Sequence, residues 1–201
     1  KTANKLYRNN GNGTFTEVAA SLGVEDSAGD GAGVAIGDIN NDGWPDIYLA
    51  NGNEDVLYKN NNGTSFTDIT SSAGLGVTGD SRGTCASFGD YDEDGYLDLY
   101  VAQHWVIAGS SNATTKDFVF YNNGDETFTD VSNLFNTDDL LDANFIGGWT
   151  DYDHDNDLDI IVVADCPFSN LPNLGTKVFR NDGGTDPVTD WTFTEVSSTV
   201  L

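Results

Sequence analysis

One acidic loop of nine residues occurs three times in this chain of 201 residues. It reads DINNDGWPD at Asp38 to Asp46, DYDEDGYLD at Asp90 to Asp98 and DYDHDNDLD at Asp151 to Asp159. In each copy, positions 1, 3, 5 and 9 carry an oxygen-bearing side chain. That spacing lets a short segment wrap around a hard cation and offer it oxygen ligands. Eleven of the 33 Asp and Glu residues occupy these positions, against 8 Lys and Arg in the whole chain. Carboxylates gathered so closely repel one another strongly unless a cation neutralises them. Three copies imply three equivalent sites in one repeated architecture, with the ion taking part in folding.

The formal charge of −25 excludes several partners. Such a surface repels nucleic acid and anionic membranes, and three bound Ca²⁺ would still leave it at −19. No run of about 18 apolar residues exists, so no membrane insertion is expected. Aromatic residues at 11% and many β-branched ones supply a core despite the polarity. No signal peptide is visible. The chain opens at Lys1 inside a repeat pattern, which leads us to expect part of a longer protein. Cys85 and Cys166 lack metal-ligand spacing; they read as small buried apolar residues, with a single disulfide as the alternative.

Aligning the loops exposes a longer unit. Upstream of each lies a strand of small and apolar residues: GAGVAIG (31–37), GTCASFG (83–89) and FIGGWT (145–150). Downstream lies an apolar strand: DIYLA (46–50), LDLYVA (97–102) and LDIIVVA (158–164). An aromatic strand follows, VLYKNN (56–61), FVFYNN (118–123) and KVFRND (177–182). After a turn comes the fourth: SFTDIT (65–70), TFTDVS (127–132) and TFTEVS (192–197). No helical periodicity of any length interrupts this pattern. The turns Asn62-Gly63, Asn123-Gly124 and Asp182-Gly183 tolerate the positive φ that tight hairpins demand.

The second strands are apolar on both faces, as Ile47 and Leu49 against Tyr48 and Ala50 show. A strand on a solvated sheet alternates, whereas one covered on both sides does not. Four-stranded sheets stacked face to face around an axis satisfy this, so the chain is expected to be all-β, a β-propeller of four-stranded antiparallel blades. LYRNN (6–10) and TFTEV (14–18) match the third and fourth strands of a further unit. The expected division is a half blade at 1–30 and full blades at 31–74, 82–135 and 143–201. Three and a half blades do not close a ring of the usual 4–8, so a larger propeller, or open edges that pair with neighbouring chains, is expected.

GVAIGDINNDGWPDIYLANG together with LYKNNNGTSFTDIT resembles the FG-GAP/VCBS repeat family, whose best-known members are the integrin α-subunit propellers. The resemblance covers nearly the whole chain. It implies a calcium loop between the first and second strands of each blade, an extracellular or cell-surface setting or the periplasm, and a role in adhesion or ligand recognition. Phe88-Gly89 keeps the motif that gives the family its name, while Ile36-Gly37 and Trp149-Thr150 depart from it. Gly43 and Gly95 stand at loop position 6; Asn156 replaces them in the third loop, and Asn also adopts the left-handed conformation.

The expected ligands of the first loop are Asp38, Asn40, Asp42 and Asp46, with the backbone carbonyl of Trp44 at position 7. In the second they are Asp90, Asp92, Asp94 and Asp98 with the carbonyl of Tyr96, and in the third Asp151, Asp153, Asp155 and Asp159 with the carbonyl of Asp157. All-oxygen ligation favours Ca²⁺ over zinc or copper, and Mg²⁺ prefers to keep its waters. An EF-hand needs Glu at position 12, where this chain has Leu49, Val101 and Val162.

Asn12, Asn62 and Asn112 head N-x-S/T sequons; the first two sit on expected hairpin turns, and Asn112 in a Ser/Thr-rich insert at 107–117. His154 at loop position 4 is expected to face solvent, while His104 and Trp105 follow the second strand of the middle unit. No nucleophile elbow, phosphate loop or Cys/His pairing stands out, so no enzyme is expected. The functional expectation is an extracellular calcium-binding module for protein or glycan binding, adhesion or assembly. A carbohydrate-active or lectin propeller, or a filament subunit pairing with its own copies, are the alternatives.

Overall fold

The computed structural model describes residues 2–27, 29–76, 83–103, 117–135, 144–164 and 175–197. His104, Trp105, Asn112, Cys166 and nearly all of the 107–117 insert lie outside them. The chain is all-β and built as propeller blades. A two-stranded hairpin, β1 (Tyr7–Asn9) and β2 (Phe15–Glu17), precedes three four-stranded antiparallel sheets. The first sheet runs β3 (Gly31–Gly37), β4 (Asp46–Asn51), β5 (Val56–Asn60) and β6 (Phe66–Asp68), each paired with its neighbour in sequence. The second repeats this with β7 (Gly83–Gly89), β8 (Asp98–Gln103), β9 (Phe118–Asn122) and β10 (Phe128–Asp130). The third uses β11 (Asn144–Thr150), β12 (Asp159–Ala164), β13 (Thr176–Gly183) and β14 (Thr192–Glu195).

The sheets stack through their first strands, β3 on β7 and β7 on β11. Glycine permits this approach. A Cβ on Gly33 would lie 2.6 Å from the Thr84 carbonyl oxygen, and one on Gly89 2.5 Å from Cγ of Trp149. Larger side chains at these two positions would push the sheets apart. Ala35, Tyr48, Ala50, Leu57, Leu99, Val101 and Phe120 fill the space between the first and second sheets. Tyr91, Tyr100, Val119, Phe135, Ile160, Val162 and Phe179 fill that between the second and third. β8 is buried along its whole length, as its two-sided apolar pattern requires. On the outer face of the first sheet, Val34 and Ile36 remain exposed beside Leu6, Val24, Ile47 and Leu49.

Two short helical turns depart from the expected all-strand reading. α1 (Ala19–Leu22) follows the β1–β2 hairpin and ends at Gly23 in the left-handed conformation, φ 82°. A 3₁₀ turn spans Ser132–Leu134. Both are too short to leave a helical period in the sequence. In the third sheet the expected turn at Asp182-Gly183 is instead an eight-residue segment, 184–191, between β13 and β14. Cys85 is a half-buried free thiol whose Sγ lies 3.7 Å from the Gly147 carbonyl oxygen on β11.

A second buried polar feature recurs beyond the loops. Tyr48 on β4 donates its hydroxyl to Asp55 at 2.8 Å, and Tyr100 on β8 donates to Asp117 at 2.6 Å. Asp55 also accepts the Asn51 N–H at 2.7 Å. Burial outweighs these two bonds and raises the Asp55 carboxyl to about 6. The folded protein therefore holds this proton more tightly than the unfolded chain. The associated stability is complete below the unfolded value of 3.8 and is lost as pH rises through about 6. Asp55→Asn carries no such proton, so in chelator it should gain about 1.4 kcal/mol on the parent protein between about pH 5 and 7.5. Urea unfolding of both proteins across that range checks this; parallel pH profiles would refute it.

Candidate metal centres

Each acidic loop joins the first and second strands of its sheet. The three loops share one backbone course. Position 4 has positive φ in all of them, at Asn41 (57°), Glu93 (60°) and His154 (65°), and so does position 6, at Gly43 (86°), Gly95 (91°) and Asn156 (83°). Asn156 thus takes the conformation glycine holds in the other two loops. His154 is exposed.

The side chains then fold inward onto backbone amides. In the first loop Asp38 accepts the N–H groups of Asp42 (3.1 Å) and Gly43 (2.7 Å), and Asp42 accepts that of Trp44 (2.8 Å). The second loop repeats these bonds: Asp90 accepts from Asp94 (3.1 Å) and Gly95 (3.0 Å), and Asp94 accepts from Tyr96 (2.8 Å). The position-3 carbonyl or carboxyl oxygen of Asn40 and Asp92 lies 3.3 Å from the position-5 N–H. The third loop differs in detail. Asp151 accepts the N–H of His154 (2.7 Å), and Asp155 accepts that of Asp157 at 3.3 Å.

Position 9 is the buried anchor. Asp46, Asp98 and Asp159 are all fully buried. One oxygen of each accepts the position-2 N–H: Ile39 at 3.0 Å, Tyr91 at 3.0 Å and Tyr152 at 3.1 Å. The other accepts the N–H of an asparagine at or near the end of the third strand: Asn60 at 2.7 Å, Asn122 at 2.8 Å and Asn181 at 2.9 Å. Burial pushes the Asp98 carboxyl up to about 8 and raises Asp46 and Asp159 as well. Burial, then the neighbouring Asp94 charge, raises Asp92 to about 6. These groups resist carrying uncompensated negative charge, and a bound cation would relieve that cost.

Among the described residues, two carboxylate groups converge tightly enough for one ion. Asp90, Asp92 and Asp98 bring one oxygen each within 4.8 Å of one another, and Asp151, Asp153 and Asp159 do the same. Asp38 and Asp46 hold equivalent places in the first loop, where Asn40 stands at position 3 in place of a carboxylate. The position-5 residues Asp42, Asp94 and Asp155 lie at the rim, exposed. At position 7, Trp44 and Tyr96 lay their rings over the hairpin glycines, 2.6 Å and 3.0 Å from a Cβ built on Gly63 and Gly124. Asp157 brings a carboxylate to that position, raised to about 7 by burial and by Asp155 beside it. Its Oδ1 is buried without a hydrogen-bond partner. The all-oxygen sets at Asp90, Asp92 and Asp98 and at Asp151, Asp153 and Asp159 fit a hard divalent cation, and in the third loop the unpartnered Asp157 oxygen is two residues from Asp159.

The hairpin turns follow backbone chemistry. Asn62 (φ 54°) and Gly63 (71°) sit at the β5–β6 turn, and Asn12 accepts the Thr14 N–H at 3.1 Å within the β1–β2 turn. Sequence reasoning did not single out Asn60, Asn122 and Asn181. Their signal was present, since each is the fifth residue of its aligned third-strand segment.

The profile of the FG-GAP-like repeat matches residues 1–49 and, overlapping them, 38–101. Cartilage acidic protein 1 of Mus musculus is 33% identical over 166 residues, and that of Xenopus tropicalis 31% identical over 163. Each match covers 79% of this chain and 24% of the relative, so the chain spans about a quarter of the length of these relatives. The human protein of the same name is 32% identical over 166 residues.

Proposed function

The chain belongs to the FG-GAP-like repeat family, and on that premise we propose that it is an extracellular, calcium-binding propeller module that binds protein or glycan. The observation that carries this reading is the convergence of Asp90, Asp92 and Asp98, repeated at Asp151, Asp153 and Asp159. Positions 1, 3, 5 and 9, with the position-7 carbonyl, supply the ligands. Calcium supplies positive charge that fixes each loop, and through it the ends of the first and second strands. The role of the ion is structural, and the module acts in adhesion or assembly, not in catalysis.

The chemistry of the loops and the relatives support the extracellular setting. Partly exposed cages of this kind suit the affinities of extracellular modules, with Kd on the order of 0.1–1 mM. The relatives are named for cartilage and for acidity, and this chain shares the acidity at a net −25. Each sheet with its loop forms one blade, divided at 31–74, 82–135 and 143–201, after a half blade at 1–30. No helix among the described residues is long and apolar enough to cross a membrane. Binding to arrayed matrix proteins and glycans tests the reading. Retention in calcium and release by chelator is expected; no retention on any surface in either condition would remove the adhesive role.

A further inference from the structure

A buried asparagine stands at or near the end of the third strand of each four-stranded sheet: Asn60, Asn122 and Asn181, 8%, 0% and 2% exposed. Each ties its own loop together. The side-chain oxygen accepts a hairpin glycine N–H, from Gly63 (2.7 Å), Gly124 (3.0 Å) or Gly183 (3.0 Å). The side-chain Nδ2 donates to the position-8 carbonyl, Pro45 (2.9 Å), Leu97 (3.0 Å) or Leu158 (3.3 Å). The backbone N–H holds the position-9 carboxylate described above.

Asn122 and Asn181 do one thing more. Nδ2 of Asn122 also donates to the carbonyl of Ile39, and Nδ2 of Asn181 to that of Tyr91, each at 2.8 Å. Those carbonyls stand at position 2 of the preceding sheet's loop, between ligand positions 1 and 3. An amide NH₂ has two donors, so it satisfies both loops at once. No loop of a preceding unit faces Asn60 among the described residues. A second tie joins the first two loops, from Asn41 Nδ2 to the Gly95 carbonyl at 2.8 Å.

We infer that Asn122 and Asn181 are positioning residues that pass ion binding from one acidic loop to the next, so that adjacent calcium sites fill cooperatively. This rests on the calcium reading above. An ion in the second loop orders positions 8 and 9, which fixes the Asn122 amide. The fixed amide holds the Ile39 carbonyl, and with it the entry to the first loop. The next ion then meets a loop already partly ordered and loses less conformational entropy in binding.

A mutant cycle tests this on the full chain with calcium chloride as the probe. The amide resonances of Gly43 and Gly95 report the two sites separately, since each N–H donates to the position-1 carboxylate of its own loop. Asp90→Asn with Asp92→Asn disables the second site. That change should weaken calcium at the first site about tenfold in the parent background, within the usual range for coupled sites, and only about twofold when Asn122→Ala is present. Asn60→Ala removes the same local bonds without the bond between sheets, and should keep the full tenfold factor. Asn181→Ala should likewise uncouple the second and third sites. Equal coupling in all backgrounds, or equal loss from Asn60→Ala, would overturn the inference while leaving calcium binding intact. No calcium shift at either glycine would overturn both.

Discussion

Chelation should lower the melting temperature by roughly 15–30 °C. An ion bound only by the folded state stabilises it by RT ln(1 + [L]/Kd), about 2.7 kcal/mol at a hundredfold excess. With a Kd on the order of 0.1 mM, about 10 mM calcium reaches that excess. Three sites then contribute about 8 kcal/mol, and for a chain of this size each kcal/mol moves the midpoint by about 2–4 °C. The structure gives the reason to expect this loss. Asp46, Asp98 and Asp159 are fully buried at the root of the loops, and each joins the first strand's exit to the third strand's end. Without a cation each is left, desolvated, beside the other carboxylates of its own loop: Asp42 and Asp38, Asp92 and Asp94, or Asp153 and Asp155. Differential scanning calorimetry in calcium and in EDTA measures this directly. Coincident transitions would remove the structural role of the ion.

Asp98→Asn should behave differently in the two conditions. In calcium it should cost about 2.7 kcal/mol, or roughly 5–10 °C, for the second site itself, and more through its coupled neighbours, because that site loses its buried carboxylate. In chelator it should melt within a few degrees of the parent protein. There the parent must bury a group that desolvation already drives to about 8, and the amide oxygen still accepts one of the two N–H groups from Tyr91 and Asn122. Thermal unfolding of both proteins with and without calcium separates the roles. An equal loss in both conditions would make Asp98 a hydrogen-bond acceptor and nothing else.

The strands were legible because their residues alternate, or fail to alternate, according to what covers them. GAGVAIG and GTCASFG emerge as Gly31–Gly37 and Gly83–Gly89, and the apolar second strands lie between sheets as their two-sided pattern requires. The loops were legible because their spacing is local: nine residues carry the carboxylates that converge at Asp90, Asp92 and Asp98 and at Asp151, Asp153 and Asp159. Contacts between units were not. The bonds from Asn122 to Ile39 and from Asn181 to Tyr91 span 83 and 90 residues, and the asparagines had a sufficient local reason in the Asn-Gly turns beside them. The glycines of β3 and β7 read as small residues, but what they must avoid is the adjacent sheet. The Tyr48–Asp55 pair stayed hidden because an aromatic within an apolar strand gives no sign that its hydroxyl needs a buried partner. The segment 184–191 broke the expected turn because it carries Asp190 and Trp191. The first binds the Thr185 and Asp186 N–H groups, and the second donates to Asn181 at 2.6 Å.

Native mass spectrometry of the intact chain in calcium tests the central claim most directly. The mass should rise by three calcium ions, one for each acidic loop, and return to that of the bare chain after chelation. A mass that does not change with calcium would contradict the account.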